Sequence, residues 1–293
     1  VSDFVKQHYN AVPERGREWR KTDSRIKGLR SYNNWVKSVL IQKCAPKENG
    51  AKILDIGCGK GGDLMKWNQN RIGLYVGIDP ADVSINQARD RYVTMQRKNR
   101  RIFEAEFIAR DGFGKLLDDV PIVMKVGFDK GLDQRWGGGG FDCVSMMFCM
   151  HYAFESEATA KTMLRNVAGA LKKGGRFIGV IPNSDKITAK VEEYHKARAP
   201  VLVNGAEDED EDDWDPEKPS EPEKEVPKKE VKETEEKDEE ITWGNSIYKV
   251  KFPGKTPKDG IFRPPFGWKY FYFLEEAVDE VPEFVVPWEA FRG

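Results

Sequence analysis

Apolar residues recur along the first two-thirds of the chain in short runs, several ending at or beside an acidic residue. Runs over 52–56, 74–79, 106–111, 141–148 and 176–181 are too short for amphipathic helices and predict strands of a buried sheet. Between them, 83–98 and 156–172 carry the longer spacing of helices, and Lys172-Lys-Gly-Gly175 reads as a helix stop. Ahead of the first strand, Ile26, Leu29, Asn33, Val36 and Leu40 recur every three or four residues, predicting a helix over 24–42 with that stripe inward. Strands alternating with helices through short links predict an α/β fold with a doubly wound, mostly parallel sheet.

After the fifth strand the alternation stops. Residues 185–200 read as helical, 241–252 as renewed order, and the aromatic alternation of 262–274 as a sheet hairpin; 281–287 begins another segment. Residues 112–140 form a loop ending in four glycines and are expected to be mobile. Residues 1–25 read as a polar, arginine-rich stretch in which Arg15, Arg17, Arg20, Lys21 and Arg25 either line a phosphate path or form a solvated face.

Charge changes the picture. The whole chain has a formal net charge of −1, but 205–240 holds 19 acidic residues against 6 lysines. The remainder has 42 Lys or Arg against 30 Asp or Glu, a basic body suited to a polyanion such as RNA. The acidic stretch has too few apolar residues to offset its ordering entropy and reads as a disordered insert within one domain spanning 1–293. No apolar run approaches membrane-spanning length and nothing resembles a signal peptide, which predicts no membrane partner. The four cysteines show no C-x-x-C pairing, so free thiols and no metal site are expected. A start at Val1-Ser2 predicts an excised piece.

The candidate chemistry lies after the first strand, in Asp55-Ile-Gly-Cys-Gly-Lys-Gly-Gly-Asp-Leu64. Gly57, Gly59 and Gly62 satisfy G-x-G-x-x-G and let the backbone approach a ligand closely. Asp55, just before the first glycine, would repel a pyrophosphate, and a zwitterionic or cationic ligand suits the loop better. Asp79 ends the second strand, where a carboxylate accepts from a ribose diol. Asp111 ends the third, where it can accept from an adenine amine. Together these acids and glycines point to S-adenosylmethionine.

Four segments carry a more specific resemblance: Tyr32-Asn-Asn-Trp-Val-Lys-Ser-Val-Leu-Ile41, the glycine loop, His151-Tyr-Ala-Phe-Glu-Ser156 and Val281-Pro-Glu-Phe284. With these the chain resembles the catalytic domain of a eukaryotic, fungal mRNA cap (guanine-N7) methyltransferase, with the class I S-adenosylmethionine-dependent fold. The resemblance implies cofactor contacts from Lys37 to the methionine carboxylate, from backbone at Gly57, and from Asp79, Asp111, Met147 and Tyr152. It implies cap contacts from Asn33, Asn34, Lys60, Lys66, Arg91, Phe148, His151 and Glu283. Glu283 would accept from guanine N1–H and the 2-amino group together. His151, Phe148 and Tyr152 offer ring faces and edges, and Lys60, Lys66 and Arg91 supply charge for the triphosphate bridge.

The implied reaction needs no general base, because guanine N7 carries no proton. Alignment and electrostatics would carry it, and no catalytic proton-transfer residue is expected. The resemblance also implies capped pre-mRNA as substrate, the capping machinery and RNA polymerase II as associates, and a nuclear location. Family members continue past Val281-Pro-Glu-Phe284 with further structure, so a C-terminally truncated domain is expected. Two other readings stay open: a methyltransferase for another nucleotide acceptor, and a non-catalytic or truncated cap- or RNA-binding relative.

Overall fold

A computed structural model describes residues 3–12, 19, 22–128, 139–198 and 240–292. Its centre is a five-stranded parallel sheet in the order β3-β2-β1-β4-β5, with β1 at Lys52–Ile56, β2 at Leu74–Asp79, β3 at Glu104–Ala109, β4 at Phe141–Met147 and β5 at Leu171–Val180. β1 and β4 lie inside the sheet, which explains their apolar runs: every residue of β4 is buried.

Helices cover both faces. Leu54, Ile56, Val76, Ile78 and Val144 pack with Met163, Val167 and Ala170 of one helix, Glu157–Ala170. Ile53, Tyr75 and Cys143 pack on the other face with residues of three helices, Lys27–Cys44, Leu64–Gln69 and Asp82–Lys98. With Asp3–Ala11 as α1, these run in chain order as α2 (Lys27–Cys44), α3 (Leu64–Gln69), α4 (Asp82–Lys98) and α5 (Glu157–Ala170). Ser156 caps α5, accepting from Thr159 N at 3.2 Å while Thr159 Oγ1 accepts from Ser156 N.

Beyond α6 (Ser184–Arg198) comes a separate four-stranded antiparallel sheet in sequential order: β6 (Ile241–Gly244), β7 (Tyr248–Phe252), β8 (Lys269–Leu274) and β9 (Val278–Phe284), followed by α7 (Trp288–Arg292). One face buries Phe252, Phe262 and Tyr270 with Ile187 and Val191 of α6. β9 also sends Val281 and Phe284 into the core of the parallel sheet, beside Val5 and Phe154.

Several expectations need correction. The N-terminal stretch is in part a helix, α1; Arg15, Arg17, Arg20 and Lys21 lie outside the described residues, as do 205–239 of the acidic insert. α2 begins at Lys27, and its predicted inward stripe fails at Leu29, which is exposed; Ile41 is its one fully buried residue. β3 runs two residues earlier than expected because Asp111 Oδ1 accepts from Phe113 N and Gly114 N, turning the chain after Arg110. β5 starts at Leu171, paired with Phe141, so the Lys-Lys-Gly-Gly stretch is a bulged strand end and not a helix stop. The predicted mobile loop is packed over 112–128: Phe113, Leu117, Val120, Val123 and Val126 all enter the core. Residues 129–138 lie outside the description. Finally, the hairpin is β8 with β9, so 281–284 closes a sheet, whereas 262–268 forms no strand.

Candidate functional site

The carboxyl ends of β1, β2 and β4 open into a cavity of about 460 Å³. The glycine loop forms its floor, and its glycines divide into two kinds. A Cβ on Gly57 (φ +76°) would come within 2.5 Å of Cys149 Sγ, and one on Gly61 (φ +67°) within 2.8 Å of Leu64 Cδ1. These two let the loop pack onto the fold. Gly59 and Gly62 line the cavity with no atom of the described residues within 3.8 Å of where a Cβ would stand, leaving room for a ligand against the backbone.

Beneath the loop, Asp55 is buried and accepts from Tyr75 Oη and Ser145 Oγ, both at 2.6 Å. Burial outweighs these bonds and pushes its pKa up to about 7. Asp79 lines the cavity and accepts from Gly59 N and Ala81 N, each at 2.9 Å. Burial raises its pKa too, and those two N–H groups oppose the rise. At the end of β4, Phe148 sits in the left-handed region (φ +60°), an uncommon conformation for an aromatic residue, and lines the cavity with Met147 and Tyr152.

Lys37 lines the cavity but is already ion-paired, its Nζ 2.9 Å from Asp63 Oδ2. Lys66 holds the other oxygen of Asp63 at 2.7 Å, and these side chains are largely buried. Lys60 and Arg91 also line the cavity, and Lys60 Nζ donates to Val12 O at 3.0 Å.

The cavity is roofed by α1, whose Val5, Lys6 and Tyr9 face it. Asn10 fastens this roof to the start of α4, donating to Asp82 Oδ1 at 3.0 Å and accepting from Val83 N at 3.2 Å. Tyr9 and Tyr152 share a hydrogen bond at 2.8 Å, and burial raises the pKa of both phenols. At the rim, the β8–β9 turn reaches the start of α2: Glu276 accepts from Ser24 Oγ at 2.6 Å and from Arg25 N at 2.8 Å.

Of the residues singled out in the sequence, Lys37, Gly57, Lys60, Asp79, Arg91, Met147, Phe148 and Tyr152 therefore share this cavity. Asp111 instead caps the turn after β3, although the Phe113 it orients reaches the cavity. Asn33 does not line it, and Asn34 faces its own helix and Lys66, donating to Arg30 O and accepting from Lys66 Nζ, both at 3.0 Å. His151 and Glu283 are buried together, with His151 Nε2 3.5 Å from Glu283 Oε1 and Tyr270 Oη donating to Glu283 Oε2 at 2.7 Å. Burial would raise the pKa of Glu283, but His151 and Tyr270 outweigh it and hold it below the usual range. Tyr152 links this pair to the cavity, its ring centroid 4.4 Å from that of His151.

The sequence marks Val5 and Tyr9 only as apolar anchors of the N-terminal stretch, and gives no site role to them or to the rim residues Arg30, Glu276 and Ala277, all of which line the cavity. Val5, Tyr9 and Val12 recur at four and three residues, a helical signal present in the sequence. The contact of Glu276 with Ser24 spans 252 positions, and no local pattern announces it.

A family model described as the mRNA (guanine-N(7))-methyltransferase domain matches residues 1–200 and 220–293. The mRNA cap guanine-N(7) methyltransferase of Pyricularia oryzae is 55% identical, the match covering 100% of this chain and 64% of that protein. That of Aspergillus oryzae is 54% identical, over 100% of this chain and 62% of that protein. The chain thus spans less than two thirds of the length of each. Among solved structures, the PH0226 protein from Pyrococcus horikoshii OT3 is 23% identical, over 61% of this chain and 72% of that one, with a TM-score of 0.40.

Proposed function

The chain belongs to the mRNA (guanine-N(7))-methyltransferase family, and from that premise we propose that it methylates N7 of the terminal guanosine of capped pre-mRNA. S-adenosylmethionine is the proposed donor, held in the cavity under α1. The observation that carries this reading is the cavity itself: open backbone at Gly59 and Gly62, the carboxylate of Asp79 beside it, and Met147, Phe148 and Tyr152 as walls. When bound, the donor supplies an electrophilic methyl group on a sulfonium.

The chain's own residues position and stabilise. Asp79 offers carboxylate lone pairs to hydroxyls while two backbone N–H groups fix its orientation. Lys37 offers a cation to a ligand carboxylate, with Asp63 holding it at the cavity edge. Lys60 and Arg91 give the cavity positive charge suited to bridging phosphates. Glu283 stays ionised beside His151 and Tyr270 and favours positive charge developing on a nearby purine. No residue needs to remove a proton, since N7 presents a free lone pair. Nuclear location and association with the capping machinery and RNA polymerase II belong to the same proposal.

The test is transfer of label from S-adenosylmethionine to RNA bearing an unmethylated guanosine cap, beside the already N7-methylated cap and a Glu283→Ala protein. Label on the unmethylated cap alone, lost in Glu283→Ala, is the expected result. Cofactor binding without transfer would leave a cap- or RNA-binding domain, and absent cofactor binding would overturn the reading of the cavity.

A further inference from the structure

The exposed face of α2 is unusual. Tyr32 and Trp35 are 60% and 61% exposed, more than any other large apolar side chain among the described residues. Their rings sit side by side, with centroids 6.0 Å apart and planes inclined by 31°. Two large rings held in water at successive turns belong to none of the apolar clusters formed by the described residues.

Farther along α2, Ser38 and Gln42 form one wall of a second cavity of about 380 Å³. At a rise of about 1.5 Å per residue, Gln42 lies roughly 10 Å along the helix axis from Trp35. Among the described residues the cavity is lined by three cations, Lys47, Lys66 and Arg71, and by no acidic side chain; the rest of this lining is Pro46 and the amides of Asn49, Gln69 and Asn70. Lys66 is shared with the first site: it lines this cavity and pairs with Asp63, which lines the large one. One ion-paired wall therefore separates the two. Exposed rings followed by cations and amides match what single-stranded nucleic acid presents, namely stackable bases on a phosphate backbone.

We propose that this surface, from Tyr32 and Trp35 to the cavity of Lys47 and Arg71, binds the single-stranded RNA body that follows the cap. It takes its substrate from the capped-RNA reading above and adds a second subsite outside the methyl-transfer cavity. Bases stack on Tyr32 and Trp35, and phosphates meet Lys47 and Arg71. The lack of a carboxylate among the described residues of the cavity lining favours a polyanion over a protein segment of mixed charge.

The experiment measures binding of an uncapped ten-nucleotide single-stranded RNA to the whole chain across a salt series, and methylation of a cap dinucleotide and of a capped ten-nucleotide RNA. Trp35→Ala and the double variant Lys47→Ala with Arg71→Ala are compared with the parent, each checked for an unchanged melting temperature. Trp35→Ala is expected to weaken RNA binding roughly tenfold. The double variant is expected to weaken it and flatten its salt dependence. KM for the capped RNA should rise in both, with turnover of the cap dinucleotide unchanged. Uncapped-RNA affinity unchanged in both variants overturns the proposal and leaves the ring pair to a protein partner. Failure of methyl transfer to either capped substrate counts against the methyltransferase reading alone, because the RNA-binding arm needs no turnover.

Discussion

Tyr270 donates to Glu283 Oε2 at 2.7 Å while His151 faces the other oxygen at 3.5 Å, so a buried carboxylate on β9 is held between a phenol on β8 and the turn after β4. This ties the antiparallel sheet to the end of the parallel one through a charge. Tyr270→Phe should cost about 1–3 kcal/mol at neutral pH, since it leaves a buried carboxylate oxygen without its donor. Because the pKa of Glu283 is lowered in the folded state, its contribution to stability is present above its unfolded value and lost as pH falls through the folded one. Urea melts taken stepwise from pH 7 downward should show the parent–variant gap narrowing only as the carboxylate protonates, below its unfolded value; a gap that widened on acidification would contradict this account.

Asp55 has the opposite sign. Its pKa is raised by burial to about 7, so stability is complete below the unfolded value and falls as pH rises through the folded one. Asp55→Asn keeps partners for Tyr75 and Ser145 and removes the buried charge. It should raise stability at pH 8.5 by up to about 4 kcal/mol, a gain that shrinks toward pH 5. Thermal melts at the two pH values decide it, and a variant less stable at pH 8.5 would refute the desolvation argument.

The loop glycines should not be equivalent. Gly57→Ala places a methyl 2.5 Å from Cys149 Sγ in a left-handed conformation and should destabilise by several kcal/mol. Gly59→Ala meets no atom of the described residues within 4 Å and should cost about 1 kcal/mol from its φ alone. Denaturation midpoints of the two proteins measure the difference, and similar losses would show that packing at Gly57 is not what restricts the loop.

Asp63 should matter more to the fold than Lys37. Asp63→Ala strands two largely buried lysines, with an expected cost of about 3–5 kcal/mol. Lys37→Met leaves Asp63 paired with Lys66, costs less, and should weaken S-adenosylmethionine binding by tenfold or more. Calorimetric titration with the cofactor beside chemical denaturation separates the two effects; if Lys37→Met bound the cofactor normally, its role would be structural only.

Much of the parallel sheet was legible because its strands are short apolar runs that read the same in any context. β1 and β2 fall on the predicted residues. β5 did not, because a lysine-glycine stretch carries no strand signal until Phe141 pairs with Leu171 across the sheet. α2 misled for a related reason. Helical spacing marks Leu29 as inward, but which side faces the core depends on where α3 and the sheet lie. The cavity residues near the glycine loop were visible in their local motif, whereas the roof by α1 and the rim by Glu276 join segments far apart in the chain.

The sequence by itself determined the class of fold, the glycine loop with its flanking acids, and the family. Each is written in neighbouring residues, through backbone freedom and strand or helix periodicity. Only the tertiary structure decided which side chains meet. It paired Lys37 and Lys66 on Asp63, buried His151 against Glu283, and left Tyr32 and Trp35 in water. Those outcomes depend on how distant elements approach and on which charges lose their water, and no local pattern of residues encodes either.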